Sequence, residues 1–158
     1  MPEYTIYLGA DHRGFAKKEE LFPLLCGCHE NVNVEDLGAE EYQEDDDFND
    51  PAIAVAQAVA ANPHGIGVLL CGSAHGVTMQ ANRFPGARAI NALTPESAAA
   101  GRRDDHANIV CLAADQLDAV TMEQIIKTFC HTHPATDERY LRRVRRLDQT
   151  PAADAKEQ

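Results

Sequence analysis

The sequence predicts an α/β fold built on a five-stranded parallel sheet with helices on both faces. Two observations predict it. Short apolar stretches alternate along the chain with longer stretches of helical periodicity. The short stretches are apolar on most residues, as strands covered on both faces are. A length of 158 residues fits one domain, taken as 1–150, with a small, polar, frayed tail at 151–158.

Residues 4–8 alternate aromatic and β-branched side chains and are expected as strand one. The loop Gly9-Ala10-Asp11-His12-Arg13-Gly14 follows. Residues 15–25 read as a helix with Leu21, Leu24 and Leu25 on one face. Residues 32–37 are a second short strand. Residues 38–50 form an acidic loop, expected to be a solvated surface segment. Pro51 suits a first helical turn, and residues 52–61 are rich in Ala and Val. Residues 66–70 are strand three, and a helix covers 77–82. Residues 87–91 are strand four. Thr94 is a good N-cap and Pro95 a good first helical residue, with Ser97 at N3, for a helix running to about residue 103. Residues 108–112 are strand five. A helix spans 119–130, His131-Thr132-His133-Pro134 breaks it, and a last helix covers 137–147.

Strand three opens into Cys71-Gly72-Ser73-Ala74-His75-Gly76, and a helix starts after it. A strand that passes through small residues into a helix start offers free N–H groups and a favourable dipole to an anion. Such donors are expected to lower a thiol pKa, and the thiolate is the reactive form. A buried strand-end cysteine in a tight turn fits the same spacing, and both readings stay open on the residues alone. Ligands of parallel α/β sheets bind at the carboxyl ends of the strands, which singles out the loops at 9–14, 71–76 and 93–95. The first of these lacks the GxGxxG fingerprint and a clear acidic ribose partner.

The bulk numbers exclude several classes. Apolar content is 44%, and no apolar run approaches the ~20 residues of a membrane span. The opening MPEYTIYLGADH carries no basic region and no cleavage pattern, so no signal peptide is expected. The five cysteines (Cys26, Cys28, Cys71, Cys111, Cys130) lack CxxC spacing and suit a reducing cytoplasm. Cys26-Gly27-Cys28 has no partner pair at zinc spacing, so no metal is expected. A net charge of −11 argues against a nucleic-acid partner. The charge is uneven: five arginines fall within 139–146 and nine carboxylates within 35–50.

GADHRGF near the N-terminus, CGSAHG with the following QANRFPGARA, and the late HANIV together resemble the ribose-5-phosphate isomerase B family, which includes galactose-6-phosphate isomerase subunits. The resemblance runs from about residue 4 to residue 143. It implies a Rossmann-like three-layer sandwich and a homodimer, or a tetramer, with each active site built from two subunits. It implies a cofactor-free aldose–ketose isomerase that interconverts ribose 5-phosphate and ribulose 5-phosphate through an enediolate. Alternatives are a six-carbon substrate, galactose or allose 6-phosphate, and a non-catalytic sugar-phosphate-binding dimer. On this resemblance Cys71 moves the proton between C2 and C1. The N–H groups of Gly72, Ser73, Ala74, His75 and Gly76 meet the oxyanion. Asp11 and His12 match the pair that holds the sugar and its phosphate end. Arg139 and Arg143 match phosphate-binding arginines, and their i, i+4 spacing sets both on one helix face. Read without the resemblance, that arginine cluster is a solvated basic helix.

Three departures stand out. The family carries His-Asn-Asp or His-Asn-Asn before Ala-Asn-Val, its histidine opening the furanose ring. Here the window reads Asp104-Asp105-His106-Ala107-Asn108. Asp104 holds the ring-opening position and could transfer the proton if burial or its neighbour Asp105, itself a substrate-binding candidate, raised its pKa. His106 is the alternative, with a better-suited pKa. Asp115 stands where the family has a phosphate-binding arginine, with Arg102 or Arg103 as candidates to compensate. Ala74 and His75 stand where a glycine and a small or neutral residue are common. His75 either adds a donor to the ligand or is an exposed loop histidine.

Overall fold

A computed structural model describes residues 4–27 and 31–149; the tail expected at 151–158 and Cys28 lie outside the described residues. Strands β1 (Tyr4–Ala10), β2 (Val32–Asp36), β3 (Gly65–Cys71), β4 (Ala89–Asn91) and β5 (Ile109–Ala113) form one all-parallel sheet in the order β2-β1-β3-β5-β4. The helices are α1 (Phe15–Gly27), α2 (Asn49–Ala61), α3 (His75–Ala81), α4 (Pro95–Asp104), α5 (Ala119–His131) and α6 (Glu138–Leu147). Among the described residues, no helix is long and apolar enough to cross a membrane.

β3 and β5 are buried at every residue, which is why they read as unbroken apolar runs. Side chains still alternate between the faces with period two. Ile66, Val68 and Leu70 of β3 pack with Leu21 and Leu25 of α1 and with Met122, Ile125 and Phe129 of α5. Leu69 and Cys71 point the other way, toward Val55 and Val59 of α2 and Val77 of α3. Helices thus cover both faces. β2 and the three-residue β4 form the edges.

The strand ends differ from expectation where it matters for the site. β1 runs on to Ala10, and β3 takes in Cys71, which pairs with Ala113 on the last rung of the β3–β5 ladder. β4 is shorter than expected, because the Ala87 N–H bonds back to Phe84 and the Arg88 N–H bonds the Asn108 side chain. The Thr94 hydroxyl accepts the Ser97 N–H at 3.1 Å, as its N-cap position predicts, and Asp118 caps α5 through the Thr121 N–H at 2.8 Å.

The acidic loop is not simply solvated. Lys18 of α1 is fully buried; its ammonium donates to the Asp36 carboxylate at 2.6 Å and the Ala39 carbonyl at 2.7 Å. It also lies 5.0 Å from the centre of the Phe15 ring. A buried ammonium holds its charge only with such partners. The loop is thereby tied to α1 at its start.

Lys18→Met keeps most of the stem's volume but leaves the Asp36 carboxylate and the Ala39 carbonyl without their donor. Asp36 keeps the Gly38 N–H and access to solvent, so we expect a loss of about 2 kcal/mol in urea unfolding. A loss under about 1 kcal/mol would mean that water replaces the ammonium freely.

Candidate active site

The carboxyl edge of the sheet gathers three loops. In the loop after β3, the Ala74 N–H donates to the Cys71 sulfur at 3.1 Å. Ala74 reaches that position with φ of 66°, in the left-handed region, which costs a non-glycine residue about 1 kcal/mol. The His75 N–H donates to the Ser73 hydroxyl at 3.3 Å. The Asn91 amide, at the end of β4, donates to the Ser73 carbonyl and to His75 Nδ1, each at 3.3 Å, so neutral His75 carries its proton on Nε2. α3 has only seven residues, so donors for an anion come from loop N–H groups more than from a long dipole.

Cys71 is the thiol at the strand mouth, 5% exposed. Two other cysteines are set aside by burial, which pushes the Cys111 thiol up to about 12 and the Cys130 thiol up to about 11.

In the loop after β1, Asp11 is buried and its carboxylate accepts the Arg13 N–H at 3.0 Å and the Gly14 N–H at 3.1 Å. Asp11 therefore fixes the turn into α1. The His12 N–H and His12 Nδ1 both meet one Asp46 oxygen at 2.8 Å. That hydrogen bond raises the His12 pKa, with the charge of Asp11 adding to it. Asp46 belongs to the acidic loop, which also lays the Phe48 ring against Gly76; a Cβ there would come within 2.9 Å of the ring.

Arg13 completes this edge. Its guanidinium rests on Gly72, where any Cβ would collide with it, and pairs with Asp115 after β5. The Asp115 N–H donates to the Gly72 carbonyl at 3.1 Å. The cation that pairs with Asp115 is Arg13, whereas Arg102 and Arg103 have other partners. Arg102 bonds the Ala107 carbonyl and lies over the Phe129 ring, while Arg103 pairs with Asp104.

The remaining candidates form a second group. Arg103 donates to both oxygens of Asp104, at 2.8 and 3.1 Å. This pair, with Arg139 adding, holds the Asp104 carboxyl below the usual carboxylate range. That is the reverse of the raised value a ring-opening acid needs. The Asp105 N–H closes α4 on the Gly101 carbonyl at 3.1 Å. His106 has φ of 52°, and its Nε2–H donates to the Ala135 carbonyl at 2.7 Å. On α6, Arg139 and Arg143 lie 4.8 and 5.9 Å from the centre of the Tyr140 ring.

One chain does not bring the two groups together. The loop at 104–108 feeds the first residue of β5, whereas Cys71 pairs with its last residue, Ala113. Four strand steps separate these rungs, about 13 Å at ~3.3 Å each. A cavity of about 760 Å³ opens at the amino edge, lined by Arg88, Arg102, His106 and His133 among others, and Cys71 does not line it.

The family model described as Ribose/Galactose Isomerase matches residues 6–147. Ribose-5-phosphate isomerase B of Mycobacterium tuberculosis is 32% identical over 145 residues, spanning 91% of this chain and 88% of that one. The crystal structure of a ribose 5-phosphate isomerase from Thermotoga maritima superposes with a TM-score of 0.84 at 33% identity, over 92% of this chain and 97% of that one. The Mycoplasma genitalium ribose-5-phosphate isomerase B structure with bound ribulose-5-phosphate gives a TM-score of 0.87 at 29% identity, over 94% and 96%.

The His12–Asp46 pair sets a pH dependence. The folded pKa of His12 lies above its ordinary 6.5, so the pair's stabilisation is complete below pH 6.5. It is lost as pH rises through the raised folded value. An NMR titration of the His12 ring is expected to move down toward 6.5 in Asp46→Asn. An unmoved midpoint would detach His12 from the acidic loop.

Proposed function

The chain belongs to the ribose/galactose isomerase family, and we propose that it interconverts ribose 5-phosphate and ribulose 5-phosphate with Cys71 as the base. The observation that carries this reading is the Cys71 sulfur at the mouth of β3, held by the Ala74 N–H beside the buried Asp11 loop. The Cys71 thiolate takes the proton from C2 of the open-chain aldose, and an enediolate forms. The thiol returns that proton to C1, while the hydroxyl proton passes from O2 to O1. Gly72 and Ser73 supply N–H donors to the oxyanion, since the Ala74 and His75 N–H groups are already engaged.

We assign ring opening to His106 and phosphate binding to Arg139 and Arg143, all from a second copy of the chain. His106 precedes β5 at the edge opposite Cys71, and Arg139 lies near Asp104 there, which supports a site shared across a dimer. Asp11 and His12 hold the sugar from the Cys71 side. The free thiols Cys26, Cys71, Cys111 and Cys130 support a cytoplasmic setting.

A coupled assay on ribose 5-phosphate tests the activity. Turnover by the wild type that disappears in Cys71→Ala supports it. Turnover only on six-carbon phosphates would reassign the substrate. Binding without any turnover would leave a sensor.

A mixing experiment tests the shared site. Cys71→Ala and the double variant Arg139→Ala/Arg143→Ala are each expected to be nearly inactive. Their reassorted equal mixture should recover roughly one quarter of wild-type activity, as random pairing in a two-fold dimer requires. No recovery, with dimers intact by light scattering, would confine the site to one chain.

A further inference from the structure

We propose that Arg13 binds the substrate's phosphate and that Asp115 occupies its guanidinium as an internal anion until substrate arrives. This rests on the isomerase reading and adds to it one binding residue and one positioning residue.

Three contacts fix Arg13 in place. Its N–H is held by the buried Asp11 carboxylate. Its guanidinium lies on the bare Cα of Gly72, one residue from Cys71. Its charge faces the Asp115 carboxylate, whose own backbone is tied to the Gly72 carbonyl. The loops after β1, β3 and β5 thus converge on one cation at the carboxyl edge.

The pair does not use up that cation. A guanidinium carries five N–H donors, and the Asp115 contact is made through one terminal nitrogen. Both side chains are about half exposed, Arg13 at 51% and Asp115 at 50%. An exposed ion pair is held weakly and can be displaced. A phosphate dianion offers more charge and a bidentate match to the guanidinium plane than one carboxylate does. Gly72, on which the guanidinium lies, directly follows Cys71 in the chain. In open-chain ribose 5-phosphate five bonds separate C2 from the phosphorus, so a phosphate-binding group belongs near the base but not against it. In a chain of net charge −11, a cation at this edge also offsets the repulsion of an anionic substrate.

The test is the steady-state kinetics of Arg13→Gln, Arg13→Lys and Asp115→Asn, together with inhibition by inorganic phosphate. Arg13→Gln should raise both KM and the phosphate inhibition constant roughly tenfold, with a smaller change in kcat. Arg13→Lys, which keeps the charge but not the fork, should fall between it and the wild type. Asp115→Asn should lower both constants several-fold, because it removes the competing anion. The double variant Arg13→Gln/Asp115→Asn should match Arg13→Gln. Unchanged constants in Arg13→Gln would overturn the proposal. A rise in both constants in Asp115→Asn would also overturn it, and would make the pair a structural clamp. Should Arg13→Gln fail to fold, Arg13→Lys and Asp115→Asn still decide between these outcomes. Should the wild type not turn over ribose 5-phosphate, the isomerase reading fails. Calorimetry with inorganic phosphate on the same variants then still tests Arg13 as an anion site.

Discussion

The Ala74 N–H on the Cys71 sulfur is the contact around which the carboxyl edge is arranged. Ala74 itself is in the left-handed region, and from there the chain turns into α3. The turn needs bare backbone on either side. Gly72 leaves room for a guanidinium and Gly76 for an aromatic ring. Asn91 braces the same turn from β4, bonding the Ser73 carbonyl and His75. The turn that carries Cys71 is thus braced by neighbours from other loops and an edge strand.

Much of the fold was legible. The strands were readable because burial on both faces makes them apolar throughout, as in β3 and β5. Thr94 and Pro95 marked a helix start because capping depends on neighbours within four residues. The site was legible only as motifs. Asp46 lies 34 residues from His12, and nothing in an acidic run says which carboxylate turns inward. Arg13 lay inside a motif that pointed to the site, yet its partner Asp115 is 102 residues away. Lys18 on a helix reads as a solvent-facing lysine, and only the tertiary structure buries it. Nor does a motif state its edge of the sheet. The window at 104–108 and the Cys71 loop are separate stretches in sequence, and strand direction alone sends them to opposite ends.

The departures from the family pattern sort themselves by chemistry. Asp104 is drawn into a pair with Arg103 that holds its carboxyl below the usual carboxylate range. His106 keeps a defined tautomer through Ala135. Asp115 is met by a cation from another loop, so a sign reversal at one position is balanced at Arg13.

The buried Lys18 has one more consequence. Mobile ions screen charges in water, over about 8 Å at physiological ionic strength, but they do not enter a packed interior. The exposed Arg103–Asp104 and Arg145–Glu138 pairs therefore weaken in brine, while the half-buried tether from Lys18 to Asp36 and Ala39 weakens much less. Salt divides the molecule unevenly: the anchoring of the acidic loop persists as the ionic contacts around α4 and α6 loosen.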